Sequence, residues 1–558
     1  MDLGDLLFWL AAPMGALGFV FTLARTRLRE PGWLAVYALN VAVTGGLRLL
    51  APSLAGWIGA AVLVPTVLAP RFGMLIVGRL AMRQEYGRAA KIARLLTPLH
   101  PLDGWPAQPR ILEALALAKA GDFAEAERVV SSVQDARGDV GRLALVELHR
   151  LRRDWAGMRA HLEASVPRRE LLGSALLLPN YVRALAEAGE LDAMLVAVGE
   201  ARRLDPYTCL FATAFGGRPD LSERVLAGPL APLAPELRAF WLGTAHAIAG
   251  DDDRARELLA PLTTAADPAL ATAAARRLAL VGHAPARPTP GAAADGLERL
   301  AADVRGAARA LWPTRPTFVA PAMVIACILH YLAEVPGDPL DAKNLYELGA
   351  VVLPAEPTAT AWWRYVVAAF LHAGALHLVA NMAGLAYFGP RLERVLGSLR
   401  FALVYVVSGV VSLIAPVLVR LARGGGEPTV LVGASGAIMG IAGALGGLYA
   451  ATLSRERSRL VRAQLAPIAL ALGLQSAFDL ATPIVAMSAH LVGALTGAVL
   501  GFALARFELP LPRPPVARAR RALAIAGIGL ATAGVVFGLR AIGRGREVSA
   551  RVPAPAVQ

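Results

Sequence analysis

Gly433-Ala434-Ser435-Gly436-Ala437-Ile438-Met439-Gly440-Ile441-Ala442-Gly443 is apolar but for one hydroxyl. It lies in an uncharged run, Pro428 to Leu453, that is long enough to cross a bilayer. A polar side chain inside such a run is costly in lipid, so Ser435 is read first as functional. Gly433 and Gly436 beside it permit a tight turn and a close backbone approach. Glycines at 436, 440 and 443 then offer a flat surface to a partner helix.

A partner stands 55 residues on. Ala489-His490-Leu491-Val492-Gly493 opens a second apolar stretch, with Gly497 and Gly501 continuing the spacing by four. That spacing keeps the three glycines on one helical face. His490, three residues before Gly493, points into the same interface. Peptide hydrolysis needs an activated nucleophile and a base in hydrogen-bond reach of it, and Ser435 with His490 supplies both. A third cluster, His372, His377 and Asn381, opens an earlier apolar stretch. His377 and Asn381, four apart, share a face, and both can donate to an oxyanion. Each element has a plainer reading. Gly-x-Ser-Gly is weak in a glycine-rich membrane protein, glycines every four residues are more often packing, and a lone histidine is often a buried polar residue. His372 and His377 would be merely hydrated at a membrane interface. The joint occurrence, in this order, carries the weight. Asp479, just before the His490 segment, is read as a cap on the fifth span of the tail rather than as a third catalytic group.

The rest of the 558 residues frames these clusters. Hydrophobic residues make up 56% and mean hydropathy is +0.52, so the chain is read as a membrane protein. The net charge of +14 is mostly arginine beside apolar segments, which is a topology signal. No basic stretch is interleaved with aromatics, and nucleic acid is not expected as a partner. Two cysteines in different regions, Cys209 and Cys327, imply no disulfide framework, and no CxxC or CxxH cluster implies a metal. No cofactor is expected.

The sequence predicts an all-α, polytopic membrane bundle with a soluble helical insert. Residues 1–94 form an N-terminal membrane region of about three spans: Leu6–Leu23, a marginal Trp33–Gly46, and Leu49–Pro70. Residues 95–283 are soluble and helical. Turns recur there at Gly121-Asp122, Arg153-Asp154, Gly189-Glu190 and Gly250-Asp251. Gly121 and Gly189 lie two periods of 34 apart, which resembles tetratricopeptide repeats; an irregular helical domain is the alternative. Residues 284–315 are a Pro/Ala-rich linker and an amphipathic helix, Leu297–Trp312, expected near the membrane surface. Residues 316–510 hold six apolar segments: Pro316–Ala333, Tyr365–Pro390, Phe401–Val419, Pro428–Leu453, Ala463–Phe478 and Leu480–Ala505. Residues 511–558 add a seventh, Ala522–Leu539, and a tail. Ten spans result, with the repeat region on the cytoplasmic side, in a membrane taken to be a bacterial plasma membrane.

Taken together, the motifs resemble rhomboid intramembrane proteases. Trp363-Arg364, Phe370-Leu371-His372 and His377-Leu378-Val379-Ala380-Asn381 are similar to that family's first loop and second helix. Gly433-Ala434-Ser435-Gly436 matches its GxSG, and Ala489-His490-Leu491-Val492-Gly493 with Gly497 its AHxxGxxxG. Arg391-Leu392-Glu393 falls in the charged loop after the second helix. The resemblance covers about residues 316–540. It implies a Ser–His dyad, an oxyanion hole of the Ser435 and Ala434 backbone N–H groups with His377 and Asn381, and transmembrane proteins as substrates. It also implies cleavage at small residues near the outer membrane face. Met439 stands where the family often has an aromatic on the catalytic histidine, so altered tuning is expected there. Two further functions stay open: a catalytically inactive, client-binding rhomboid-like protein, and a cytosolic adaptor role for the repeats.

Overall fold

A bilayer offers no water to unpaired backbone groups, so apolar segments of this length fold as helices. The computed structural model describes residues 3–26, 31–100, 102–103, 105–133, 139–282, 288–353, 362–423, 429–481, 487–507 and 556–557. It is nearly all helix, and the chain is an integral, multi-pass membrane protein. Seven helices among the described residues are long and apolar enough to span, or eight if one bent pair counts as a span. The expected Ala522–Leu539 segment and residues 284–287 of the linker lie outside the described residues. Contacts divide the chain into two units, 1–304 and 305–558.

The first unit begins with helices Leu3–Thr26 and Pro31–Leu50. The second of these extends the marginal apolar run to 20 residues, enough to cross. The next helix, Pro52–Met82, runs twelve residues past the predicted end at Pro70. Pro65 removes one backbone donor, and the helix widens to a π-turn at Val64–Leu68 instead of breaking.

Beyond Met82 the helices come in short antiparallel pairs. Gln108–Lys119 is followed by Phe123–Ser131, Asp139–Arg152 by Trp155–Ser165, Leu178–Glu187 by Leu191–Glu200, and Pro235–Ala249 by Asp252–Leu259. All four turns have one geometry. Gly121, Arg153, Gly189 and Gly250 have positive φ. The next residue donates its N–H back to the carbonyl of Leu117, His149, Leu185 or His246, at 2.9–3.0 Å. This left-handed ending satisfies the last carbonyls of one helix. Asp122, Asp154 and Asp251 then cap the next through the N–H groups of Glu125, Gly157 and Arg254. Gln84 and Gly217 carry the same turn at two more places.

The amphipathic helix spans Ala292–Ala310. Its apolar stripe, including Leu300, Ala301, Val304 and Ala307, is buried in protein.

Among the described residues the second unit holds six long helices: α1 (Val319–Glu334), α2 (Ala375–Leu396), α3 (Ser398–Ala422), α4 (Ser435–Leu453), α5 (Leu465–Ala481) and α6 (Met487–Arg506). α4 is the hub, with 83% of its spanning window buried, against 11% for the window that contains α5. Glu393, at the end of α2, accepts the N–H groups of Phe318, Val319 and Ala320 at 2.8–2.9 Å, and so closes the N-terminus of α1.

Two apolar segments are interrupted. Tyr365–Pro390, read as continuous, bends by 92° between Arg364–Phe370 and α2. Gly374, at φ +89°, makes the bend. Pro428–Leu453 begins with strand β2 (Thr429–Leu431), which pairs antiparallel with β1 (Val351–Leu353), Val351 opposite Leu431. Strand β3 (Ala556–Val557) adds in parallel to β2.

Candidate active site

Ser435 is the first residue of α4. The turn that delivers it depends on Gly433, whose φ is +121°. A Cβ on Gly433 would stand 2.7 Å from His377 Cε1, so only glycine lets the loop pass over that ring. The Gly433 N–H donates to the Ala368 carbonyl at 2.8 Å, which pins the loop to the segment before the bend. Ala434, between them, is fully buried.

His490 sits in the first turn of α6. Its Nε2 lies 2.7 Å from Ser435 Oγ. The distance follows from the glycines. A Cβ would meet a carbonyl oxygen of α4 at 2.3 Å on Gly493, 1.8 Å on Gly497 and 2.1 Å on Gly501. The α4 glycines serve two neighbours. Gly443 and Gly447 face the backbone of α6, at Ala494 and Ala498. Gly436 and Gly440 lie under Gly493 and Gly497 of α6 and also make room for Ser412 and Ser408 of α3. α4 is therefore clamped on two sides, and its glycines serve both.

His490 is held from behind. Asp479 Oδ2 lies 2.8 Å from His490 Nδ1, and Gln475 Nε2 donates to Asp479 Oδ1 at 2.8 Å. A carboxylate facing Nδ1 requires the proton there, which leaves the Nε2 lone pair for the Ser435 hydroxyl. This corrects the reading of Asp479 as a cap. It lies in the last turn of α5, where the helix dipole disfavours a carboxylate and no free N–H awaits a cap. Asp479 and Gln475 are the residues sequence reasoning missed. The available signal was a carboxylate in an apolar segment with an amide four residues before it.

On the other side of Ser435, α2 presents His377 and Asn381. Asn381 is buried, and its Nδ2 has no hydrogen-bond partner among the described residues. A Cβ on Gly433 would lie 3.7 Å from that nitrogen, which places it beside the nucleophile loop. A buried, unpaired donor is costly, and such groups are kept where a ligand completes them. His372 lies apart from the nucleophile. Its Nδ1 bonds the Phe370 carbonyl at 3.0 Å, its own N–H donates to buried Glu334, and its ring meets His377 edge-on at 5.3 Å. It braces the bend and the His377 ring. Arg364 does similar work, donating to the Tyr346 and Ala350 carbonyls at 2.6 and 3.0 Å. Met439, one turn after Ser435, is half-buried against the bundle core.

The arrangement can take a proton from Ser435 and meet an oxyanion with Asn381. Comparison with known proteins points to one family. Residues 359–507 match the family model of the Rhomboid domain. The chain is 34% identical over 167 residues to RHOMBOID-like protein 6, mitochondrial, of Arabidopsis thaliana, covering 29% of this chain and 50% of the relative. It is 29% identical over 229 residues to Rhomboid protease GluP of Bacillus subtilis, covering 40% and 41%. It is 30% identical over 199 residues to Rhomboid protease AarA of Providencia stuartii, covering 31% and 68%. The chain thus spans half or less of the first two relatives and about two thirds of the third.

Proposed function

The chain belongs to the rhomboid family, and we propose that it is an intramembrane serine protease whose nucleophile is Ser435 and whose general base is His490. The observation that carries this reading is the 2.7 Å approach of His490 Nε2 to Ser435 Oγ at the first turns of two membrane helices.

In this mechanism His490 Nε2 takes the hydroxyl proton as Ser435 Oγ bonds to the scissile carbonyl carbon. The carbonyl oxygen becomes an oxyanion between the Ser435 and Ala434 backbone N–H groups, Asn381 Nδ2 and the His377 ring. As the tetrahedral intermediate collapses, the imidazolium proton passes to the amine nitrogen and the C–N bond breaks. Water then attacks the acyl ester by the same proton route and frees Ser435. The substrates are membrane proteins whose chain is extended enough near the bilayer surface to reach the nucleophile.

We read the helical pairs of residues 95–283 as tetratricopeptide-like repeats. We assign them a protein-binding surface on the cytoplasmic side, joined by residues 284–315 to a protease core at 316–510. The test reconstitutes the full chain in liposomes with a single-span reporter substrate. The wild type is expected to release the reporter fragment, and Ser435→Ala and His490→Ala to release none while remaining folded. A wild type that binds the reporter but never cuts it would favour the inactive, client-binding alternative.

A further inference from the structure

The rhomboid resemblance implies a dyad, but the geometry around His490 is that of three groups. We propose that Asp479 is a positioning residue for the reaction, forming with His490 and Ser435 a working triad that Gln475 completes. This rests on the protease reading of the same site.

α5 is the most lipid-exposed of the six helices. Of residues 465–480, only Ile468 and Asp479 are buried. A carboxylate withdrawn into a membrane protein is unfavourable unless its oxygens are matched by donors. Both are matched: Oδ2 by His490 Nδ1–H and Oδ1 by the Gln475 amide, each at 2.8 Å. Gln475 lies one helical turn before Asp479, so α5 presents the pair as a unit. The Gln475 amide also stands 3.5 Å from His490 Nδ1, at the outer edge of contact, which leaves the carboxylate as the partner of that nitrogen.

The function follows from proton placement. With Nδ1–H committed to Asp479, the ring exists in the one neutral tautomer whose Nε2 accepts from Ser435. When that proton arrives, the ring is a cation between the forming ester and a carboxylate 2.8 Å away. Asp479 stays ionised throughout. The proton on Nε2 goes on to the leaving amine, and the one on Nδ1 never moves.

The test has two readouts on the full-length protein. The first is ¹⁵N spectroscopy of histidine-labelled protein, with the His490 signal assigned by its loss in His490→Asn. Wild type is expected to show Nδ1 protonated and Nε2 bare, and Asp479→Asn to shift the ring toward the opposite tautomer. A wild-type His490 protonated on Nε2 overturns the proposal. The second is steady-state cleavage. Asp479→Asn is expected to lower kcat by up to roughly 10⁴-fold, the loss for the same change in the Ser-His-Asp template, with KM nearly unchanged. Asp479→Glu should restore most of the loss, and Gln475→Leu should give a smaller fall in kcat. Wild-type kcat in Asp479→Asn overturns the proposal even if the spectra agree. If an Asp479 variant does not fold, the wild-type spectrum and Gln475→Leu still decide. A wild type that cleaves nothing defeats the protease reading, while its nitrogen spectrum still reports whether Asp479 holds the ring.

Discussion

Gly497 packs so closely on Gly440 that a Cβ added to it would stand 1.8 Å from the Gly440 carbonyl oxygen. No side chain can rotate out of the way, because the obstacle is backbone. His490 lies two turns earlier on the same helix, so any parting of α4 and α6 lengthens its contact with Ser435. Gly497→Ala is therefore expected to lower stability by about 1–3 kcal/mol, the usual cost of overpacking, and to remove most of the activity with both catalytic side chains intact. Gly473→Ala is the control, since nothing lies within 4 Å of its Cβ position. Thermal unfolding in detergent and reporter cleavage check both. A Gly497→Ala protein with wild-type activity would mean that the helix approach does not set the site.

Asn381 makes a different prediction because its Nδ2 is buried without a partner. A donor waiting for an oxyanion acts in the transition state more than in binding. Asn381→Ala is expected to reduce kcat roughly 10²- to 10³-fold and to leave KM close to wild type. Normal turnover with weakened binding would move Asn381 into substrate docking.

The meeting of Ser435 and His490, and the α2 cluster, were legible in the sequence because each is a polar group in an apolar run. The glycines around Ser435 and His490 also announced close packing. Their second neighbour was not legible: Gly436 and Gly440 also make room for serines of α3, and four-residue spacing cannot say that a helix face meets two partners. The bend at Gly374 was hidden because Tyr365–Pro390 is apolar on both sides of it, and hydropathy is blind to direction. Asp479 was misread for a related reason. Its distance in sequence to a helix end was visible, whereas its reach to His490 depends on how α5 turns against α6. In the first unit, the Gly-Asp and Gly-Glu turns were legible one by one. Their common geometry emerges only with Arg153, which adopts the left-handed conformation that glycine takes at the other three turns.

That helical region yields a pH prediction. The Asp154 carboxyl is held below its usual pKa by the Gly157 N–H, and next by the His149 ring. A depressed folded-state value means the cap stabilises fully above the unfolded pKa, near 4, and is lost as pH falls through the lower folded value. Hydrogen-exchange protection of Trp155–Ser165 should therefore fall as pH drops below about 4. Asp154→Ala should lower that protection already at neutral pH, by on the order of 1 kcal/mol, and flatten its acid dependence. Protection in Asp154→Ala equal to wild type would show that the cap contributes nothing to that helix.

The sidedness proposed for the helical pairs rests on counting crossings. The loop after α4 carries Arg455, Arg457, Arg459 and Arg462, which keeps it cytoplasmic. Ser435, at the other end of α4, then opens toward the outer face. α3 returns the chain to the cytoplasm beside Arg391, Arg394 and Arg400, and α2 and α1 trace it back to a cytoplasmic Val319. No described helix between Met82 and Val319 is among those apolar enough to span, so the proposed count assigns the pairs to that same side. The head agrees: Leu3–Thr26 ends at arginines, and Pro52–Met82 ends at Arg79 and Arg83. Both native cysteines are buried, so an introduced thiol reports by itself. Asp253 is fully exposed on the helix Asp252–Leu259. In intact cells, Asp253→Cys is expected to resist a membrane-impermeant maleimide and to react only after permeabilisation. Labelling of intact cells would put the pairs outside, and by the same count would turn Ser435 toward the cytoplasm.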